Sequence, residues 1–318
     1  MALAYSIIIP HKDIPDLLQR CLDSIPLRDD VEVIVVDDNS DPRKVDFEHF
    51  PQCKGKHYQY ILTKEGKGPG YARNVGLDHA QGRWIVFADA DDFFTEEFNA
   101  LLDKTKCAEE DLIFFDYINV LSDDITHQLE ERVWFRTLIA ACLKNNDTSE
   151  ERLRCYFSVP WCQFIKRELI ERHRIYFTEV RWGEDIYFAC QVGKAAKTIM
   201  VSGTIGYVVT SRKGSVTDGY CGTAQEFRVR LCETLKCDDL LKAQFGNNAR
   251  SRPWLNYVCR KKGFWRCVWF CIANVFHPRV FWPTASFLTK IAIKKCFTKN
   301  LEQTEGESSA NISKKNET

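Results

Sequence analysis

Neither a Cys-x-x-Cys pair nor a Cys/His cluster at zinc spacing occurs in this chain, although 14 of its 318 residues are cysteine. That argues against a structural zinc site. Cys21, Cys53, Cys107, Cys142, Cys155, Cys162 and Cys190 also lack the spacing of a disulfide framework, so reduced thiols, mostly in the core, are expected. The opening MALAYSIIIP has no basic segment ahead of its apolar run and no cleavage pattern behind it. No secretory signal is read there, and a cytoplasmic location is expected. Net charge is missing as well, with 44 Lys and Arg against 44 Asp and Glu. There is no internal repeat.

What is present suits a packed globular fold. Hydrophobic residues make up 45% and charged residues 28%, ordinary values for such proteins. The length allows one large domain with an appendage, or two small ones. Tyr5 to Pro10 reads as a buried strand, and Leu17, Leu18, Cys21, Leu22 and Ile25 follow at helical spacing. Val31 to Val36 is β-branched and nearly continuous, the pattern of a parallel strand covered on both faces. Tyr58 to Thr63 predicts a third strand, after which Gly66-Lys67-Gly68-Pro69-Gly70 leads to a helix from Tyr71 to Ala80. Further strands are expected over Leu112 to Val120 and Thr204 to Thr210, with helices over Arg132 to Lys144, Glu168 to His173 and Trp182 to Ala195. The opening alternation of strand and helix points to a doubly wound α/β sheet, in which ligands sit beyond the carboxyl ends of the strands.

The run from Trp84 to Phe94 drives an apolar strand into three carboxylates. Side chains of a strand alternate, so Asp89 and Asp91 share one face and Asp92 takes the other. Two like charges in one small space repel unless a cation lies between them, and such oxygen ligands suit Mg²⁺ or Mn²⁺ bound to a phosphate. The plain alternative is an acidic turn closing a buried strand. A dinucleotide-binding turn needs glycine after the first strand, where His11-Lys12-Asp13-Ile14-Pro15 stands instead. A phosphate loop needs Gly-Lys-Ser/Thr, which Gly66 to Gly70 lacks. An Asp-x-Asp metal-dependent phosphohydrolase stays open, with Asp89 and Asp91 as nucleophile and acid/base, although Phe93 stands where such enzymes resemble one another in Thr or Val.

Five segments in order, SIIIP, VEVIVVDDNSD, GPGYARNVGLDHAQGRWIVFADADD, WCQFIKREL and WGEDIYF, together resemble the family 2 glycosyltransferases. The match runs over residues 4–217 and is strongest from Gly68 to Phe93. The resemblance implies a GT-A fold: α/β, Rossmann-like, with a mostly parallel central sheet flanked by helices, here followed by a C-terminal helical extension. It also implies inverting transfer of a sugar from a nucleotide diphosphate donor, with a UDP-sugar expected. Residues 1–100 are then the nucleotide-sugar-binding half, 101–224 the acceptor-binding half, 225–300 a basic aromatic helical extension, and 301–318 a disordered tail.

Under that resemblance Pro10, Asp38, Gly70, Arg73, Asp89 and Ala90 are candidates for holding the nucleotide-sugar. Asp38 would accept a hydrogen bond from a base edge such as the uracil imide, with turn chemistry as its alternative. Arg73 would hold the diphosphate or steady the acidic run. Asp89 and Asp91 would hold Mn²⁺ or Mg²⁺ between the phosphates, Asp92 being the other possible ligand. Asp185, in Trp182-Gly183-Glu184-Asp185, is the candidate base for the acceptor hydroxyl, and an ordinary carboxylate with a pKa of about 4 suffices for that. Trp161, Trp182 and Glu184 are acceptor candidates, the indoles as platforms for sugar faces or simply as core. Arg212 and Lys213 would form a lid. A catalytically silent glycan- or nucleotide-binding partner of a membrane assembly is the remaining alternative.

Charge is uneven along the chain. Residues 228–300 hold fifteen Lys/Arg against three Asp/Glu, and four of the eight tryptophans, Trp254, Trp265, Trp269 and Trp282. Phe264 to Phe276 is interrupted by Arg266, and Val280 to Ile293 by Pro283 and Lys290. Both are too short for a bilayer span of roughly 20 residues. They suit helices in a membrane interface, where a lipid-linked acceptor or growing glycan would be met, so a peripheral position at the inner face of the cell membrane is expected. A helical hairpin packed on the main domain is the alternative. No nucleic-acid-binding fold accompanies the charge, so a nucleic-acid partner is not expected.

Overall fold

The computed structural model describes residues 2–55, 57–130, 133–144, 149–212, 222–246 and 249–262, with single positions beyond these up to 272. Its centre is an eight-stranded sheet. β1 (Tyr5–His11), β2 (Val31–Asp38), β3 (His57–Thr63) and β4 (Trp84–Phe87) form a parallel half in the order β3-β2-β1-β4. Every position of β2 is buried, as its β-branched run requires. α1 (Pro15–Asp23) buries Leu18, Cys21 and Leu22, while α2 (Pro69–His79) lies against β1 and β2. Glu32 is a carboxylate near the start of this buried wall. It accepts from Ser6 Oγ at 2.5 Å, Gln81 N–H at 2.6 Å and Gly82 N–H at 3.0 Å. Those bonds satisfy the charge and pin the turn between α2 and β4 to the sheet.

The second half is mixed. β6 (Leu112–Leu121) and β8 (Ile199–Ser211) are parallel, β7 (Gln163–Lys166) enters antiparallel between β4 and β6, and the short β5 (Phe93–Phe94) pairs antiparallel with β8. Four of the seven pairings are parallel. The mostly parallel sheet expected from the sequence is therefore present, but the uniform doubly wound pattern is not. β7 spans only 4 residues, too few for any periodicity to reveal a strand. α3 (Glu97–Thr105), α4 (Val133–Leu143), α5 (Ser149–Tyr156), α6 (Arg167–His173) and α7 (Glu184–Ala195) flank the sheet. Rings of Tyr5, Phe98, Phe115 and Phe164 pack between its two halves at centroid distances of 5.0–5.9 Å.

One expectation about the acidic run fails. β4 stops at Phe87, and Asp89 to Asp92 form a turn closed by Asp92 N–H to Asp89 C=O at 3.0 Å. Strand alternation therefore does not set which way the three carboxylates point.

α8 (Ala224–Phe245) and α9 (Ser251–Lys262) pack back onto the sheet domain. Cys155, Ile186, Cys190, Cys237 and Leu241 form a buried cluster joining α5, α7 and α8. Asp238 accepts from Arg250 N–H at 2.6 Å and Ser251 N–H at 3.3 Å, capping α9. The tail 301–318, Lys213 and nearly all of 264–276 and 280–293 lie outside the described residues. Trp265, Trp269 and Ile272 are described, and exposed. No helix among the described residues is long and apolar enough to cross a membrane.

Candidate active site

β1, β2 and β4 are parallel neighbours, so their carboxyl ends share one edge of the sheet. At the end of β2 two adjacent aspartates divide the work. Asp37 is fully buried, bonded to His11 Nδ1 at 2.7 Å and accepting from Ser40 Oγ at 2.6 Å and Ser40 N–H at 2.8 Å. His11 Nε2 accepts Ile14 N–H at 3.2 Å, which leaves Nδ1 to donate to Asp37. Burial works to raise the Asp37 pKa, but the bonds from His11 and Ser40 outweigh it and hold the carboxyl below its ordinary value. Asp37 braces the turn. Asp38 Oδ2 accepts Gly68 N–H at 3.0 Å and lies 3.4 Å from Lys12 Nζ, while its buried Oδ1 has no hydrogen-bond partner among the described residues.

The acidic turn after β4 is gripped from two sides. Asp89 N–H donates to Tyr207 Oη at 2.9 Å, and the Asp91 carbonyl accepts from Thr210 Oγ1 at 2.7 Å and Arg20 Nη2 at 2.5 Å. Asp92 Oδ1 accepts Thr210 N–H at 2.7 Å and its residue is 2% exposed. It faces the protein. The side chains of Asp89 and Asp91 are 32% and 22% exposed, with Asp89 Oδ1 bonded to Arg73 Nη2 at 2.7 Å and Asp91 Oδ2 to Arg212 Nε at 3.1 Å. Burial and the neighbouring Asp89 charge push the Asp91 carboxyl upward, against the pull of Arg212.

Arg73 links this turn to α7. It is buried in α2, and its Nη1 donates to Glu184 Oε1 at 2.9 Å, so one guanidinium ties Asp89 to the first residue of α7. Gly70 permits the close approach: a Cβ there would meet Thr178 O at 2.5 Å. α7 begins after Gly183, whose φ of +74° is a left-handed conformation that favours glycine. Asp185 follows in the first turn. None of the described residues hydrogen-bonds its carboxylate. Burial first, and then the Glu184 charge, push its pKa up to about 7, against the pull of Arg73 and Arg230. The ordinary carboxylate expected from the sequence is thus corrected.

Comparison with known proteins places the chain. The family model for glycosyl transferase family 2 matches residues 6–174, more than half of the 318. The chain belongs to glycosyl transferase family 2. Among its relatives, an uncharacterized glycosyltransferase of Bacillus subtilis, EpsJ, is 28% identical over 67% of this chain and 62% of its own length. A poly(ribitol-phosphate) beta-glucosyltransferase of Bacillus spizizenii is 29% identical over 64% of this chain and 31% of its own. The chain thus spans less than two thirds of these relatives. Staphylococcus aureus TarS 1-349 in complex with UDP-GlcNAc superposes with a TM-score of 0.54 at 20% identity, covering 85% of this chain and 81% of that one. The Pyrobaculum calidifontis mannosyltransferase PcManGT in complex with GDP-Man and Mn²⁺ gives 0.53 at 17% identity, covering 94% and 88%. At such identities the likeness speaks for the GT-A fold alone.

As a divalent metal site for this family 2 chain, the turn offers two carboxylates, and no group of three or more His, Cys, Asp or Glu among the described residues is arranged around one point. Two hard oxygen ligands whose charges repel fit Mg²⁺ or Mn²⁺ that takes its other ligands from phosphate and water. The structure also places the other residues singled out from the sequence. Trp161 is 3% exposed and its ring is enclosed by Tyr117, Phe135, Phe157 and Tyr207, with centroids at 4.8–6.1 Å. No sugar face reaches it. Glu184 is paired with Arg73, and Arg73 is buried between Glu184 and Asp89. Gly70 packs on Thr178, and Ala90 is 4% exposed. Pro10 is part-exposed opposite Val36, and Trp182 part-exposed under the Arg181 guanidinium at 5.2 Å. Arg20, Tyr207, Thr210 and Arg230 carry no motif in the sequence, and only their contacts single them out.

Proposed function

We propose that this family 2 chain is an inverting, metal-dependent glycosyltransferase that moves a sugar from a nucleoside diphosphate donor, UDP foremost, to a hydroxyl of a growing surface glycan or lipid-linked acceptor. One observation carries the reading. Arg73 joins Asp89, from the acidic turn, to Glu184, beside Asp185, so one guanidinium brings the donor end and the base end together. Asp38 supports UDP, because its unpartnered buried Oδ1 suits an imide N–H. Asp89 and Asp91 hold the ion, the inward-facing Asp92 being bonded to Thr210. When bound, the ion offsets the charge that builds on the departing diphosphate.

Asp185 takes the proton from the acceptor hydroxyl as that oxygen bonds the anomeric carbon and the bond to the diphosphate oxygen breaks. A base with a pKa of about 7 is well matched to neutral pH, since it is largely ionised just above it and still basic. Residues 1–100 serve the donor, 101–224 the acceptor, and 225–300 a basic extension. That extension rests on a cytoplasmic membrane surface, a location favoured by the exposed Trp265, Trp269 and Ile272 among basic residues.

The test is release of UDP from a panel of UDP-sugars with Mn²⁺ and acceptor, with Asp91→Ala and Asp185→Ala alongside. Turnover surviving both substitutions would sink the mechanism. Phosphate release from a simple ester without acceptor points instead to the phosphohydrolase alternative. Donor binding by calorimetry with no transfer points to a silent binding protein.

A further inference from the structure

Each carboxylate that the acidic turn offers to a divalent ion already meets a guanidinium, and the two pairs are built differently. Arg73 is buried, donating from Nη2 to Asp89 Oδ1 at 2.7 Å and from Nη1 to Glu184 Oε1 at 2.9 Å. That arginine is locked. Arg212, which directly follows the last residue of β8, donates from Nε to Asp91 Oδ2 at 3.1 Å, and its side chain is 27% exposed. Among the described residues this is its one ion pair. The Asp91 main chain, by contrast, is tied down, its carbonyl accepting from Thr210 Oγ1 at 2.7 Å and from Arg20 Nη2, while Arg20 Nη1 donates on to Ser122 O at 3.1 Å. The turn therefore fixes the Asp91 backbone, and its arginine partner has room to leave.

We propose that Arg212 is an exchangeable counter-ion for Asp91: a divalent cation reaching the acidic turn displaces its guanidinium from the carboxylate, so this arginine sets how tightly the ion binds. The inference rests on Asp89 and Asp91 being the ligands of that ion. Mg²⁺ takes carboxylate oxygens at about 2.0–2.1 Å, and a guanidinium on the same carboxylate repels it at close range. One of the two arginines must yield. Displacing Arg73 would strip the cation from Glu184 as well, which is buried, whereas Arg212 holds no second carboxylate among the described residues. Asp91 gains by the exchange, since the ion puts two positive charges where the guanidinium put one. A monovalent cation brings no such gain, so the exchange favours divalent ions.

The experiment titrates Mn²⁺ into the full chain without donor, for the wild type and Arg212→Gln, reading bound ion by electron paramagnetic resonance. Without the pair to break, the Gln variant is expected to bind the ion about five- to tenfold more tightly. Binding in the variant no tighter than in the wild type overturns the proposal. Proton-nitrogen NMR then follows the Arg212 Nε–H itself, assigned by its loss in Arg212→Gln, or in Arg212→Lys if the Gln variant does not fold. Diamagnetic Mg²⁺ is expected to move that signal to the position of a solvated arginine. A signal that stays in place under saturating Mg²⁺ overturns the exchange even where the affinities differ, since the arginine then acts through its field alone. The metal reading fails separately: if neither protein binds Mn²⁺ even with UDP present, Asp89 and Asp91 are not an ion site, whereas equal binding by both removes only the role of Arg212.

Discussion

Replacing Arg73 by Met keeps an unbranched side chain of similar reach and removes the charge between Asp89 and Glu184. The two hydrogen bonds lost, at 2.7 and 2.9 Å, are charge-assisted and worth about 1.5–3 kcal/mol each. Asp89 is 32% exposed in its side chain and Glu184 only 11%, so water takes over part of the first loss and little of the second. The net destabilisation is about 3 kcal/mol, at the lower end of what breaking a buried pair costs. For a chain of 318 residues that is a fall of about 4–5 °C in Tm. The loss should depend on pH. Asp185, at 3.8 when unperturbed and about 7 in the fold, contributes stability that is full below its unfolded value and lost as pH rises through about 7. Without Arg73 its pKa climbs further, so more is lost at high pH. Melting curves of both proteins at pH 5.5 and 7.5 check this. A gap below about 1 kcal/mol, or one narrower at pH 7.5 than at 5.5, refutes the reasoning.

Three further outcomes are expected. Asp38→Asn should weaken UDP binding by about tenfold in calorimetry, in the range of one charged hydrogen bond, and unchanged affinity would remove Asp38 from the donor site. Trp161→Phe should lower stability by about 1–2 kcal/mol through imperfect repacking while leaving the acceptor KM untouched; a raised acceptor KM would return Trp161 to the site. Truncation after Lys262 should abolish flotation with anionic liposomes, and equal flotation of both forms would rule out the membrane role.

Much of the parallel half was legible because burial on both faces writes itself into composition. The continuous β-branched run at Val31 to Val36 has no other stable use, and β2 is buried along its whole length. Asp38, the acidic run and Asp185 were legible through a resemblance carried by five segments in order. β7, α3 and α5 were not, since the shortest carries too few residues to show a period and the others follow turns that local pattern does not mark.

The sequence by itself determined the family, the parallel strands and the carboxylates that follow them, because chain-local pattern and motif order survive without a fold. Only the tertiary structure decided what each carboxylate meets. Asp89, Asp91 and Asp92 stand within four residues of one another, yet one meets Arg73, one meets Arg212 and one turns inward to Thr210. Arg73 and Glu184 are 111 positions apart in the chain, and Asp185 owes its pKa to burial and to charges on three other elements. Burial and charge act through space, and that distance is set only when the chain has folded.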